Sequence, residues 1–239
     1  MYKRILLKLS GEALRDNAHH LTIDAGHIEG LTEVVKELHD NGVEVAIVIG
    51  AGNIWRGKLA DKIGIEPVPA DFMGMLGTVI NAVAMASCLR KHGVDAVVFS
   101  AVPAIEGVTL PYDKDNARKY LAEGKVVFLA GGTGKPFFTT DTAAALRAVE
   151  LECKAILMGK NGVDGIYTAD PDKDPTAQFI KTISFEEIIK RNLQVMDISA
   201  VELIKNTNID VRVFSMEDPQ NFLRVARGED IGTTVKQGE

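Results

Sequence analysis

Val43-Glu44-Val45-Ala46-Ile47-Val48-Ile49-Gly50-Ala51-Gly52-Asn53 is a β-branched run, polar only at Glu44, that empties directly into a glycine turn. A strand that is apolar on both of its alternating faces has to be covered on both, which marks a parallel sheet sandwiched between helices. The flanking sequence repeats the pattern. Residues 4–9 (Arg4-Ile5-Leu6-Leu7-Lys8-Leu9) form a first strand. Residues 24–40 form a helix capped by Asp24, with Ile28, Leu31, Val34, Val35 and Leu38 on one face and Asn41-Gly42 at its end. A long helix follows Pro69, its apolar positions from Met73 to Leu89 interleaved with Gly74, Gly77, Ala82, Ala84 and Ala86, small enough for close packing. Further strands are expected at 95–100, 126–130, 155–158 and 210–214, the last closing the series, with a helix from Asp141 to Glu152.

This alternation predicts an α/β fold, a three-layer α/β/α sandwich around a mainly parallel sheet. Two stretches break the rhythm. Residues 101–112, with Pro103, Gly107 and Pro111, read as an irregular excursion or hairpin. Turns at Asn161-Gly162, Asp164-Gly165 and Asp170-Pro171 make 161–183 a small antiparallel subregion. No clean linker divides the 239 residues. One domain over 1–239 is expected, with lobes of roughly 1–150 and 151–239.

The composition, 46% hydrophobic and 25% charged, is that of an ordered globular chain, and a net charge of -6 argues against non-specific nucleic-acid binding. It leaves nucleotides open, since local donors hold those. Cys88 and Cys153 show no metal-ligand pattern and read as small buried hydrophobes in a reducing compartment. No unbroken apolar run of about 18 residues argues for a membrane span, and the opening apolar run is too short, and too soon broken by Ser10-Gly11, to read as a signal peptide. A cytoplasmic protein is expected.

Gly131-Gly132-Thr133-Gly134-Lys135-Pro136 fails as a Walker loop. Leu129 stands where that motif needs glycine, and Pro136 where it needs Ser or Thr. It remains a donor-rich turn running into a helix start. In parallel α/β sheets ligands collect at strand carboxyl ends, and four segments fall there: Lys8-Leu9-Ser10-Gly11, Gly50-Ala51-Gly52-Asn53, Gly131 to Asp141, and Lys160-Asn161. Glycine lets backbone amides face an anion, and helix starts add a positive field. Several such turns point to an enzyme holding two phosphorylated molecules together.

Lys8, charged at the end of a buried strand, either snorkels to solvent or supplies charge to a transferring phosphoryl group, and the second role is favoured. Arg56 is either a surface arginine or a fork for phosphate. Asp71 either answers the field of the long helix or accepts from ribose hydroxyls. Thr139 and Thr140 suit helix capping, with Asp141 a further cap, while Thr133 in the glycine turn suits phosphate or base. Asp141 and Asp197 are carboxylates to orient Lys8 or assist magnesium. Tyr167 with Asp170 offers a platform and an edge-reading carboxylate for a base. The five histidines lie away from the glycine turns, so neither a Ser/His/Asp set nor a zinc set is assembled. A phosphate acceptor needs no histidine: its second ionisation lies near pH ~6, so the attacking oxygen is already largely anionic.

The run Tyr2 to Leu14, together with Asn53-Ile54-Trp55-Arg56-Gly57, Met73-Gly74-Met75-Leu76, Gly132-Thr133-Gly134, Pro136-Phe137-Phe138-Thr139-Thr140-Asp141, Val163 to Pro171, Val195-Met196-Asp197 and Arg212-Val213-Phe214, resembles in order the bacterial uridylate kinases of the amino acid kinase superfamily. The resemblance covers essentially the whole chain. It implies the amino acid kinase fold and transfer of the γ-phosphoryl of ATP to UMP, with Mg2+ carried by ATP and no protein-held metal. It further implies Lys8, Leu9, Ser10, Gly11, Gly52 and Arg56 around ATP phosphates, with Asn161, Tyr167 and Asp170 on its adenosine. The acceptor UMP falls to Ala51, Asp71, Thr133, Gly134, Lys135, Pro136, Phe137, Phe138, Thr139 and Thr140, and catalysis to Lys8, Arg56, Asp141 and Asp197. The partners implied are a homohexamer, GTP as activator and UTP as inhibitor, without nucleic acid or membrane. Two positions depart from the family pattern: Ala51 replaces the middle glycine of its turn and Lys135 replaces an asparagine. The methyl of Ala51 is tolerated only at negative φ. An acyl-phosphate-forming kinase of the same superfamily, or a sensor that binds nucleotide without turnover, are the readings to be weighed against it.

Overall fold

The computed structural model describes residues 1–160, 162–171, 173–193 and 195–238. Eleven strands are seen among them: β1 (Arg4–Leu9), β2 (Glu44–Ile49), β3 (Ala96–Ser100), β4 (Leu110–Pro111), β5 (Val126–Ala130), β6 (Ala155–Lys160), β7 (Ile166–Tyr167), β8 (Phe179–Ile180), β9 (Thr182–Ser184), β10 (Asp210–Ser215) and β11 (Thr233–Lys236). The helices are α1 (Ala25–Asp40), α2 (Ala60–Ile63), α3 (Pro67–Lys91), α4 (Lys114–Ala122), α5 (Thr140–Glu150), α6 (Phe185–Arg191), α7 (Ile198–Ile204) and α8 (Asn221–Ala226). The main sheet runs β4-β3-β5-β2-β1-β6-β10-β11-β9, and β10 with β11 is its antiparallel pair among the described residues.

The alternation of β1 and β2 builds the two faces. Ile5, Leu7, Leu9, Val45, Ile47 and Ile49 bury against α1, α3 and α8. Leu6, Ala46 and Val48 bury against α4, α5, α6 and α7. A period of two places successive side chains on opposite faces, so each strand serves both cores and the sandwich has its expected three layers. Asp24 caps α1 by accepting from the His27 N–H.

Several expectations change in detail. Helix α3 opens two residues before Pro69, at Pro67; prolines are accommodated in a first turn, whose amides have no intrahelical partner. Residues 101–112 form no hairpin. They end in the two-residue β4, which lies parallel to β3 on the sheet edge. Thr139, not Asp141, caps α5, its hydroxyl accepting from the Asp141 and Thr142 amides. The sheet does not close at β10, since Gly232 turns the chain back into β11, which pairs with β10 and β9. The small antiparallel subregion is present as the β7–β8 pair. By length and mean hydropathy α3 alone among the described helices would be long and apolar enough to cross a membrane, but Thr78, Asn81 and Ser87 interrupt it and half of its most apolar stretch is buried in this fold, as in a core helix.

Candidate active site

Strands β1, β2, β5 and β6 are mutually parallel, so their carboxyl ends open on one edge, and the turns that follow them share that edge. Gly50 is where they meet. A Cβ there would stand 3.4 Å from the Gly11 N, 3.8 Å from the Leu9 O and 3.8 Å from the Thr140 Cγ2. The turns after β1 and β2 and the start of α5 are therefore packed together.

A buried amide pair locks this junction. Asn53 and Asn81 exchange side-chain hydrogen bonds of 3.1 and 2.9 Å, the Asn81 Nδ2 also donates to Gly50 O (2.8 Å), and the Asn53 Nδ2 donates to Thr22 O. Asn81 is fully buried, and a buried amide with partners at this number of groups fixes its neighbours more tightly than an apolar contact would. Asn81 is not among the residues expected at the site, although a polar residue at a core position of an otherwise apolar helix is a signal for it. Nor is Arg147, buried in α5. This side chain donates to Glu150 (2.7 Å) and to Gly132 O (3.2 Å), and lies 3.7 Å over the Tyr112 ring, thereby tying α5 to the third glycine turn. Thr78 ties α3 to the same turn by accepting from the Gly131 N–H (2.8 Å).

At the centre, Lys8 Nζ lies 2.7 Å from Asp141 Oδ1, both side chains mostly shielded from water at 17% and 19% exposure. The lysine at the end of the first strand thus turns into the edge crevice, and its partner is presented by the first turn of α5. Lys160, at the end of the adjacent β6, is the third charge. Burial, and secondarily the neighbouring Lys8, push its ammonium below the ordinary lysine value, with Asp141 opposing. Asp197 receives a hydrogen bond from the Thr139 hydroxyl, so α7 is pinned to the cap of α5. Arg56 is more exposed and pairs with Glu12 at 2.6 Å, while its Nε donates to Gly52 O at 3.3 Å. That holds the guanidinium over the second turn. Ser10 caps the short 3-10 turn Gly11–Leu14.

Two clefts lie near the Lys8–Asp141 pair with neither residue on their walls: one is walled by Thr140, next to Asp141 in the chain, and the other by Lys160, whose charge feels both Lys8 and Asp141. The first is bounded by Gly52, Trp55, Asp71, Gly74, Thr133 and Thr140, with Ala51, Phe138 and Thr139 also on its wall. The Asp71 carboxylate accepts from the Phe137 N–H at 2.7 Å, latching the loop over the cleft. Phe137 adopts a left-handed φ of 69° and is 73% exposed. Gly134 at φ 76° brings the loop within reach of strand β3's exit, where an added Cβ would stand 2.6 Å from Ala101 O. The Thr133 hydroxyl pairs with the Lys135 backbone, and neither Lys135 nor Pro136 lies on the cleft wall. Ala51 keeps a negative φ, as its methyl requires. Room for the methyl comes from Gly77 of α3, where a Cβ would be only 2.8 Å from it.

The second cleft, of about 560 Å³, runs from Lys160 past Gly165, Tyr167, Asp170, Asn192 and Val213. The Tyr167 hydroxyl donates to Asp164 (2.8 Å) and its ring meets Phe179 edge-on. Asp170 pairs with Lys173 at 2.5 Å. Asn161 lies outside the described residues. The structure therefore gathers Lys8, Gly11, Gly52, Arg56, Asp141, Thr139, Thr140 and Asp197 at one edge, while Tyr167 and Asp170 line the second cleft and Leu9 is buried in the core beneath.

Residues 3–215 match the amino acid kinase family. In three dimensions the chain is similar to the UMP kinase of Bacillus anthracis (36% identity, TM-score 0.95, covering 100% of this chain and 97% of that one). It is similar to the UMP kinase of Ureaplasma parvum (36%, TM-score 0.92, 99% and 100%). The uridylate kinase of Archaeoglobus fulgidus matches at 26% identity and TM-score 0.74, covering 97% and 99%. A glycine-turn edge with a shielded lysine–aspartate pair, in a chain matched along nearly its whole length, leaves one assignment: the protein belongs to the amino acid kinase family.

Proposed function

We propose that this protein transfers the γ-phosphoryl group of ATP to UMP, giving ADP and UDP, in pyrimidine nucleotide synthesis. The observation that carries the reading is the Lys8–Asp141 pair with two clefts walled by its neighbours, one by Thr140, adjacent to Asp141, and the other by Lys160, whose charge feels both. In this reading ATP lies in the larger cleft, with its adenosine toward Tyr167, Asp170 and Asn161 and its phosphates toward Lys8, Ser10, Gly11 and Gly52. UMP lies in the smaller cleft against Ala51, Asp71, Thr133 and Phe138 to Thr140, with the loop from Gly134 to Phe137 as its expected cover. The division supports an acceptor lobe of roughly 1–150 and an ATP lobe of roughly 151–239, since the linings fall wholly on either side of that line.

The chemistry asked of the protein is positioning and charge. The UMP phosphate attacks the γ-phosphorus, the bond to the β-bridging oxygen breaks, and ADP leaves. Charge spread over the transferring oxygens is met by the Lys8 ammonium, held in place by Asp141. Arg56, on its Glu12 and Gly52 anchors, bridges phosphates as the second fixed cation. Magnesium carried by ATP would neutralise charge on its phosphates, and Asp141 and Asp197 are the hard-oxygen groups nearby that would suit it. Their present partners, Lys8 and Thr139, favour an orienting role for both.

The exposed stripe Phe72, Met73, Leu76 and Ile80 along α3 supports association of copies, of which the family's homohexamer is the expected form. Activation by GTP and inhibition by UTP are proposed with it, and the cytoplasm as its location.

A coupled ADP-release screen of UMP, CMP, dUMP, TMP, carbamate and amino acids, with and without GTP, tests the reading. UMP is expected to give the fastest turnover; acceleration by carbamate or an amino acid alone would move the chain to acyl-phosphate formation. In the same assay Asp71→Asn is expected to raise the UMP KM about tenfold or more with a smaller change in kcat, since a hydrogen bond to a charged acceptor contributes about 1.5–3 kcal/mol. An unchanged KM removes Asp71 from the ribose contact and leaves it as the latch of Phe137.

A further inference from the structure

Distant in sequence from the crevice residues, side chains from two helices converge. Cys88 lies in the last turn of α3, His92 is its C-cap four residues on, and Glu29 faces them from α1. Cys88 Sγ is 3.2 Å from Glu29 Oε2, His92 Nε2 is 2.6 Å from Glu29 Oε1, and the three atoms all lie within 4.8 Å of one another. The His92 Nε2 is itself screened from solvent and, although near the carboxylate, lacks hydrogen-bond alignment with any partner. It is directed at the space that the thiol and the carboxylate share. The fully buried Thr32 lies beside the sulfur and closes the floor. The side chains of His92 and Glu29 are 29% and 40% exposed, so water reaches the outer side.

From this we infer a binding site for a divalent cation of the zinc class, formed by Glu29, Cys88 and His92, that clamps α1 to α3. The donor set decides the metal. A thiolate and an imidazole select zinc-like ions and disfavour magnesium, which takes oxygen ligands, so the site is distinct from the metal that ATP brings. Neighbouring corners of a tetrahedral zinc site stand about 3.3–3.6 Å apart, given bonds of about 2.0–2.3 Å. The sulfur–carboxylate and imidazole–carboxylate separations, 3.2 and 2.6 Å, lie below that range and engage different oxygens of Glu29, so binding one centre requires the side chains to move apart by up to about 1 Å. Three protein ligands leave a fourth position, which the exposed side supplies with water. On binding, the Cys88 thiol loses its proton to solvent, His92 binds as neutral imidazole and Glu29 as carboxylate. In the linear sequence Cys88 and His92 look unremarkable because their third partner is 59 residues upstream of the cysteine and only the α1–α3 packing brings it in.

A metal bound to the native state and absent from the unfolded chain raises stability by mass action. The test is a cobalt titration of the chelator-treated full-length protein. Expected are a thiolate-to-cobalt charge-transfer band and visible bands of four-coordinate geometry, saturating at one equivalent and displaced by zinc, with a zinc-dependent rise in Tm. Cys88→Ser abolishes the charge-transfer band, and His92→Gln weakens cobalt binding by about tenfold or more; in both the zinc-dependent Tm rise is lost, while magnesium-supported phosphoryl transfer is retained. Circular dichroism of each metal-free variant checks that it folds, and His92→Gln serves where Cys88→Ser does not. Absence of a thiolate band in the wild-type protein, or a zinc-dependent Tm rise that survives in both variants, overturns the proposal and leaves a plain Glu29–His92 ion pair.

Discussion

Replacing Lys8 by alanine is expected to lower kcat by about 10²–10³-fold, or roughly 3–4 kcal/mol of transition-state stabilisation, with the UMP KM little changed. The asymmetry follows from position. Lys8 is paired with Asp141 and close enough to Lys160 to act on its charge, whereas the walls of the smaller cleft are built by other residues. The charge it offers therefore matters most when negative charge moves onto the transferring oxygens. Lys8→Arg is a useful second variant: a planar guanidinium does not reproduce a compact ammonium in a site shaped for one, so a large part of the loss is expected to remain. Neighbouring Lys160 makes the residual activity informative. Its charged state is opposed by burial and by Lys8, so removing Lys8 favours a charged Lys160, and the Lys8→Ala/Lys160→Ala double variant is expected to fall below Lys8→Ala alone. Steady-state kinetics on protein whose melting curve is intact decides it: a kcat within twofold of wild type takes Lys8 out of the mechanism.

The layers of the fold were legible because they rest on local signals. The apolar runs of β1 and β2 and the face of α1 announce strands covered on both sides and an amphipathic helix, and these elements stand where expected. What was missed lacks such a signal. Strand β11 is four residues with Thr233, Thr234 and Lys236 in it, a composition that reads as loop until β10 and β9 supply partners on both sides. The short helices α6, α7 and α8, of six or seven residues, show too few turns for a period to emerge. Cap chemistry was ambiguous in Thr139-Thr140-Asp141 because all three side chains can accept from a helix-start amide; the backbone geometry selects Thr139. In the crevice, charge placed against an apolar background exposed Lys8, and glycine spacing exposed the turns. For the residues that hold those turns, Asn81, Thr78 and Arg147, sequence offers at most a polar residue at a core position, because the partners that give them their role, Gly50 O, the Gly131 N–H and Gly132 O, come from other segments. Ala51 was read as a departure whose cost depended on φ, and Gly77, the residue that makes room for it, is invisible without the fold.

The second large effect is expected at Gly11. A Cβ there would stand 2.4 Å from Asn53 Oδ1 and 2.5 Å from Gly50 O, and neither atom is free to retreat. Gly50 O and Asn53 Oδ1 both accept from the same Asn81 Nδ2, which is fully buried. Relief by rotating one side chain is thus closed off, and the methyl of Gly11→Ala must push the first and second turns apart or break the amide pair. Overpacking of this kind costs typically about 1–3 kcal/mol, and each kcal/mol lowers Tm by about 2–4 °C in a chain of this size, so a fall of several degrees is expected. Catalysis suffers separately. Separating the turns moves Ser10 and Gly52 away from the phosphates they are proposed to hold, and a displacement of about 1 Å can cost about 10²-fold. The loss should therefore appear in kcat/KM for ATP at temperatures where the variant is still folded. Asn53→Ala in the same background removes the colliding carboxamide but not the Gly50 carbonyl, and is expected to restore little. Full recovery of ATP turnover in that double variant, or a Gly11→Ala protein with wild-type Tm and kinetics, would show that the two turns have slack that their contacts deny.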